Sequence, residues 1–493
     1  IPDTLDSMSG QTVGRNAAWL MAATMLNKLI AFATFILVAR LAGVHITGTY
    51  FFGVAVTSVF VILTDLGMTP VVIRAVSASR EDGSRLLGAA LGAKLFLIPI
   101  AIAASLGYGI WRGAAPETFA TIAVACAVMS ADAIHLVMYG ALRGRQNLRF
   151  EAIGMCVGQV FTAMAAITIA LVHPTAVGLA AALLIGSVWN VAWATMKLRG
   201  ARVAIRPPRL ADLTRLAREA LPFGIAGIAV KVYSYADSLL IEKFHGLGAV
   251  GLYAVAYKMT YALQFLPLTF TAALYPAFAK QWAEHDREKL RATFLGSMRF
   301  LAAVGFPLSA GLSALAPRII PLAYGTHYAG AISAFEILPW ALLPIFIDFP
   351  IGAFLNATHR AHQKTTAMVA TMALNVAVNA MLVPSLGPVG AAWAGVVSFW
   401  TLLFIGWFFV APDVGGWKIL VSLLARAMFC ATFSWIAWRI VGNHMPFMFA
   451  ALFGAAIAMI LAYAMRLVTR EDLRRVVGKM RSALPDENVH ADT

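Results

Sequence analysis

Three lysines lie where a cation is costly. Lys28, Lys231 and Lys258 fall inside apolar runs long enough to cross a bilayer, where an ionised side chain costs about 2.5–3.5 kcal/mol on insertion scales. Lys28 is twelve residues into the first such run, roughly 18 Å deep at 1.5 Å per residue, which is too deep for easy snorkelling. Asn27 adjoins it, and Asn16, Asn27 and Thr34 share one helical stripe. Lys231 is central in its run. Tyr253, Tyr257 and Tyr261 recur at i, i+4 and i+8, so an aromatic stripe flanks Lys258. Such cations call for an anionic ligand, and tyrosine rings offer it flat, amphipathic faces. Asn27, Lys28, Lys231, Tyr257, Lys258 and Tyr261 are therefore the candidate substrate-binding residues. The competing reading is that each lysine is neutralised by a local carboxylate such as Asp237. Lys94, nearer a span end, reads as snorkelling, as do Arg299 and Arg426.

The acids offer ion coupling. Asp132 and His135 are spaced i, i+3 and can meet on one helix face, either as a proton relay or as a satisfied buried pair. Glu336 and Asp348 share a run with Pro339, Pro344 and Pro350, which must kink it. Asp348 is either a coupling-ion site or a hinge-stabilising acceptor, and Asp237 joins the same candidate set. Asp65, at a glycine turn, reads as structural. Thr371, Asn375 and Asn379 form a polar stripe suited to gluing helices together, and Gly88 and Gly92 a close-packing pair. Cys126, Cys156 and Cys430 all lie in apolar runs and imply neither a disulfide framework nor a thiolate metal site. No Gly-Lys-Ser/Thr phosphate cradle appears, and the longest outer segment, about 316–329, carries Arg318 and His327 without convergent acids. No catalytic residue, metal or cofactor is expected.

The elements that must carry these residues are membrane helices. The chain has 493 residues, 60% hydrophobic and 12% charged, against about 25% charged in soluble domains, and its mean hydropathy is +0.79. The formal charge of +15 sits in short loops between apolar runs, which points to anionic headgroups and away from nucleic acid. The runs are continuously apolar and not alternating, so helices are expected and not a barrel. Spans fall at about 16–38, 50–72, 86–110, 117–139, 151–172, 175–196, 219–241, 250–278, 293–315, 329–356, 363–384, 388–411, 418–440 and 446–466. The first fifteen residues are polar and lack the apolar core of a signal peptide. With the N-terminus inside, 27 of the 38 Lys and Arg residues fall on the cytoplasmic side and 4 outside, as the positive-inside rule requires. Two basic stretches are amphipathic: 210–220, with Leu210, Leu213, Leu216, Ala217 and Ala220 opposite Arg215 and Arg218, and the tail, with Leu473, Val476, Val477 and Met480 beside Arg474, Arg475 and Lys479. Both read as helices on the membrane surface, with a partner-binding helix as the alternative.

The chain repeats itself. Gly43, Gly48 and Tyr50 recur 203 residues later as Gly246, Gly251 and Tyr253, and Val177-Gly178-Leu179-Ala180 recurs at Val389-Gly390-Ala391-Ala392. Six spans separate the copies, so they share one orientation, and substrate sites in such transporters lie at the repeat interface.

Ala39-Arg40-Leu41-Ala42-Gly43, Gly48-Thr49-Tyr50, Asp65-Leu66-Gly67, Leu221-Pro222-Phe223-Gly224, Asp237-Ser238-Leu239-Leu240 and Gly251-Leu252-Tyr253-Ala254-Val255-Ala256-Tyr257-Lys258 resemble the polysaccharide flippases of the O-antigen (Wzx-like) type. These belong to the multidrug/oligosaccharidyl-lipid/polysaccharide exporter superfamily. The similarity runs from about residue 12 to 465. It implies an all-α integral membrane protein of about fourteen helices: two pseudo-symmetric six-helix lobes around a central cavity, plus two C-terminal helices. On that plan residues 1–15 are a cytoplasmic N-terminus, 16–197 the N-lobe, 198–218 a basic linker, 219–411 the C-lobe, 412–466 the last two spans and 467–493 a basic cytoplasmic tail. The implied activity is movement of an isoprenoid-diphosphate-linked oligosaccharide from the cytoplasmic to the periplasmic leaflet of a bacterial inner membrane, by ion-coupled alternating access. Membrane lipids and polysaccharide assembly proteins are the implied partners. A drug antiporter of the same superfamily is the nearest alternative, although it calls for carboxylates at the cavity centre where lysines dominate here. A membrane-embedded polysaccharide polymerase or ligase is a further one.

Overall fold

The computed structural model describes residues 10–200 and 205–468. Every regular element among them is helical, as continuous apolar runs require when lipid cannot satisfy backbone polar groups. Twelve helical stretches are long and apolar enough to span a bilayer. Two of these, Ala22–Asp65 and Ser234–Ala283, hold 44 and 50 residues, enough at 1.5 Å per residue to cross a core of about 30 Å twice. Both are broken by a glycine: Gly43 has φ 80, ψ 173 and Gly246 has φ 78, ψ 178, a backbone region essentially closed to other residues. Counted as two crossings each, they bring the spans to about fourteen.

These two breaks carry the sequence repeat into three dimensions. A Cβ at Gly48 would lie 1.9 Å from the Leu247 carbonyl oxygen, and one at Gly251 would lie 2.1 Å from that of Val44. The contact is reciprocal and keeps the 203-residue offset. The segments after Gly43 and Gly246 therefore cross backbone against backbone about a local two-fold, and only glycine permits the approach.

The chain divides into two compact units. The first holds the chain as far as Phe265, with Ile319–Leu338 and Thr365–Ser398. Within it, the Tyr328 hydroxyl donates to the Ala39 carbonyl at 3.0 Å and shares a hydrogen bond of 2.8 Å with the Thr47 hydroxyl, and Arg40 donates to the Leu322 carbonyl at 2.8 Å. The Gly43 break is thereby held from outside its own helix. The Thr371, Asn375 and Asn379 stripe is buried, and Asn375 donates to Ser398 Oγ at 2.9 Å. The second unit holds Leu266–Arg318, Pro339–Lys364 and the chain from Phe399. Its core stacks Phe278, Phe294, Phe354 and Trp407, and Trp340 and Trp435 both donate to Ser313 Oγ at 3.1 Å. The proline-rich run 329–356 is not one helix. It is divided into Thr326–Ala331, Ile332–Ile337, Leu338–Ala341 and Leu342–Ala357, because Pro339 supplies no amide hydrogen to continue the ladder.

Three expectations change. Lys94 does not snorkel: it is 1% exposed and donates to the Thr64 carbonyl at 2.8 Å and to Asp65 Oδ1 at 3.1 Å. Asp65 also accepts from Thr69 Oγ1 at 2.7 Å, so the pair staples the helix break at Leu66 and Gly67. Gly88 and Gly92 pack against the linker and not against a helix. A Cβ at Gly88 would lie 1.8 Å from the Arg206 carbonyl oxygen, and one at Gly92 3.4 Å from Pro208. Residues 210–220 are not a separate surface helix. They are the first turns of Leu210–Ala262, and Leu213, Leu216 and Ala220 pack on a protein core that includes Val76, Leu86 and Leu142. Arg215 reaches Asp82 and Glu219, each at 2.8 Å. The amphipathic tail lies outside the described residues.

Candidate functional site

The first unit encloses a cavity of about 580 Å³, inside the range of about 300–1,000 Å³ typical of ligand sites. Its polar wall comes from helix faces that each present two polar residues one turn apart. Leu148–Val172 supplies Gln159 and Thr162, Ala176–Gly200 supplies Ser187 and Asn190, and Pro116–Gly144 supplies Asp132 and His135. Asn27 enters from Gly10–Phe60. Lys231 is the sole lining residue from Leu210–Ala262 among those described, so the second repeat sends one cation into a chamber otherwise built by the first.

Small residues make the chamber possible. A Cβ at Gly158 would lie 2.6 Å from Asn190 Nδ2, and one at Gly186 2.1 Å from Thr162 Oγ1. Asn190 is fixed from both ends: it accepts from Tyr139 Oη at 2.7 Å and donates to the Gly186 carbonyl at 2.9 Å. Asp132 is half-exposed and accepts from Ser187 Oγ at 2.6 Å, while His135 Nδ1 is 3.6 Å from its carboxylate and 3.2 Å from the Ala131 carbonyl. The Asp132–His135 spacing thus brings the two groups together at the cavity wall. Lys231 makes no ion pair among the described residues, and its Nζ lies 5.8 Å from the Tyr235 ring. Asn27 Oδ1 is buried with no hydrogen-bond partner there. A buried amide oxygen without a hydrogen-bond partner and an ammonium without an ion pair among the described residues, both lining one cavity, are groups that a polyhydroxylated anion can satisfy.

Lys258 stands in different surroundings. It is exposed, yet its Nζ lies 5.8 Å from the Phe35 ring and 5.6 Å from that of Phe51. Tyr257 packs 6.1 Å from Phe51 and 4.5 Å from Tyr261, extending the aromatic stripe along the helix. Asp237 neutralises none of the three lysines among the described contacts. It is buried and accepts from Tyr253 Oη at 2.5 Å and from the Ser238 amide at 2.6 Å.

The remaining candidates lie apart. Lys28 is exposed and does not line the cavity, although its neighbour Asn27 does. Asp348 belongs to the second unit, where Lys364 Nζ holds both its oxygens, at 2.7 and 2.6 Å. Glu336 is half-buried on the short helix Ile332–Ile337. Gln159, Thr162, Ser187 and Asn190 escaped the sequence reading, which weighed charges. Their signal was present nonetheless, as polar pairs at i, i+3 inside apolar runs, the same spacing that singled out Asp132 and His135.

Residues 13–282 match a family model described as polysaccharide biosynthesis protein, and residues 222–381 match one described as MatE. The probable low-salt glycan biosynthesis flippase Agl15 of Haloferax volcanii is 22% identical over 217 residues, 44% of this chain and 45% of that one. The teichuronic acid biosynthesis protein TuaB of Bacillus subtilis is 30% identical over 127 residues, 25% of this chain and 26% of its own. The chain therefore spans less than half the length of these curated relatives. The lipid II flippase MurJ, in an inward closed conformation, shares the fold with a TM-score of 0.74 at 12% identity, over 93% of this chain and 99% of that chain.

Proposed function

Because this chain belongs to the polysaccharide biosynthesis protein family, we propose that it is a flippase for an isoprenoid-diphosphate-linked oligosaccharide. It carries the headgroup from the cytoplasmic to the periplasmic leaflet of a bacterial inner membrane, with both termini in the cytoplasm. The observation that carries this reading is the cavity of about 580 Å³ lined by amides, hydroxyls and Lys231. Sugar hydroxyls need the first two, and a diphosphate or uronate needs the third. Lys28 and Lys258 add charge along the route, and Tyr257 and Tyr261 offer faces to sugar rings. Asp132 and His135, beside the same cavity, are the coupling pair, and Asp237, Glu336 and Asp348 are secondary candidates. The two six-helix lobes and the polysaccharide assembly partners belong to this proposal as well. Loss of the protein should leave the lipid-linked oligosaccharide on the cytoplasmic leaflet while its synthesis continues. Normal surface polysaccharide in a deletion strain with no redundant transporter would sink the reading.

A second reading rests on Asp132, a half-exposed carboxylate in the cavity, and on the MatE match at 222–381. A cation antiporter needs such an acid. In that case the deletion strain would keep its polysaccharide and become sensitive to cationic dyes.

A further inference from the structure

A separate pocket of about 390 Å³ opens in the second unit, walled by Trp282, Arg287, Arg291, Phe354, Arg360 and Asp413. It lies among the ends of Phe265–Ala283, Leu342–Ala357 and Pro388–Val414 and the start of Arg287–Ala314. These are the helix ends that the basic-residue count assigns to the cytoplasm. Three guanidinium groups face one carboxylate, so the pocket carries a formal charge of +2.

Each arginine is held in a way that leaves hydrogen-bonding capacity. Arg360 is the anchored one: it donates to Thr358 Oγ1 at 3.1 Å, to the Phe409 carbonyl at 3.3 Å and to Asp413 at 2.7 Å. Arg291 uses Nε on the Val414 carbonyl at 2.9 Å and keeps its terminal nitrogens. A Cβ at Gly415 would lie 2.4 Å from Arg291 Nη2, and Gly415 has φ +103. The backbone there gives way to the guanidinium. Arg287 lies with its Cζ 3.5 Å from the centre of the Trp282 ring, a stacking that engages the guanidinium face and leaves its N–H groups able to donate. Asp413 is already engaged by Arg360, and no other carboxylate lines the pocket among the described residues.

We propose that this pocket is a phosphate-binding site for the headgroup of an anionic membrane phospholipid, distinct from the cavity that holds Lys231. Arginine forks match phosphate oxygens in a bidentate manner. Basic pockets between helices at the cytoplasmic surface are suited to acidic lipid heads.

The test is native mass spectrometry of the full-length protein in detergent, titrated with phosphatidylglycerol, phosphatidylcholine or inorganic phosphate. Wild-type protein should retain phosphatidylglycerol over phosphatidylcholine. The pair Arg287→Gln and Arg291→Gln should weaken that retention on the order of tenfold, and the charge-matched pair Lys280→Gln and Lys289→Gln should not. Arg287→Gln alone, which removes a stacked side chain and no intramolecular hydrogen bond, guards against misfolding and should retain part of the loss. Retention of phosphatidylglycerol that inorganic phosphate cannot displace supports the lipid as occupant. Arginine-dependent binding of inorganic phosphate without lipid selectivity would overturn the lipid and leave a soluble phosphate. Equal retention by the arginine and lysine pairs would overturn the site altogether. None of these readouts involves oligosaccharide transport, so the outcome is independent of the flippase reading.

Discussion

Lys94 and Lys231 both lie in membrane helices, and their surroundings differ in kind. Lys94 is buried and spends its protons on the Thr64 carbonyl and Asp65. Lys231 lines an open cavity with no ion pair among the described residues. Lys364 follows the first pattern, clamped on Asp348 in the second unit, and Lys258 the second, with aromatic rings in place of a carboxylate. Insertion into lipid penalises a lysine inside a span, as at Lys94, Lys231 and Lys258, and less so at Lys364, which lies at the start of its helix. What separates them is whether the compensating group is built into the protein or must arrive with a ligand. The first arrangement serves folding, and the second leaves charge available for binding.

The largest effect should come from breaking a built-in pair. Asp65→Ala leaves Lys94 buried without a counter-ion, held only by the Thr64 carbonyl, at a cost of about 3–5 kcal/mol, read as a fall in membrane abundance and in the melting temperature of the purified protein. Adding Lys94→Met should recover most of the loss. Normal stability in Asp65→Ala would show that the pair is not structural and would dissolve the comparison.

Next in size is the opposite experiment. Lys231→Ala combined with Lys28→Ala removes cations that form no ion pair among the described residues, while Asp132 keeps Ser187 and His135, so abundance should hold or improve. Export should nevertheless fall about tenfold or more, equivalent to about 1.4 kcal/mol of lost interaction, and Lys231→Arg should keep part of it. Wild-type export from the double variant would refute the binding role. A loss of export that merely tracks loss of protein would move Lys231 into the class of Lys94.

The smallest effect sharpens the role of burial. Arg215 pairs with Asp82 and Glu219 at distances like those of the buried pairs, but its side chain is 48% exposed. Arg215→Gln should therefore cost less than about 1 kcal/mol. A thermal shift as large as that of Asp65→Ala would mean that contact geometry, and not burial, sets the energy.

Depth was legible without a structure, and partnership was not. Lys28, Lys231 and Lys258 are visibly deep because distance along an apolar run converts directly to depth. That Lys231 lines the same cavity as Asn27 and Asp132 while Lys28 is exposed outside it depends on helix rotation, to which a span's hydropathy is insensitive. The same holds for Asp348, whose pairing with Lys364 depends on how two helices pack and not on the hydropathy of either. The polar pairs at 159 and 162 and at 187 and 190 show that part of the wall was readable, since a period of three within one helix is local information.

The sequence by itself determined the all-helical membrane architecture, the approximate spans and the repeat. Hydropathy over about twenty residues decides insertion, and glycine at Gly43, Gly48, Gly246 and Gly251 answers a backbone demand that recurs wherever the same crossing is built. Tertiary structure alone decided which charges are satisfied. Lys94 and Asp65 are separated by 29 residues, and Arg360 and Asp413 by 53. Packing of helices sets such pairings, because an ammonium or a guanidinium reaches only the acid that a neighbouring helix brings within about 3 Å.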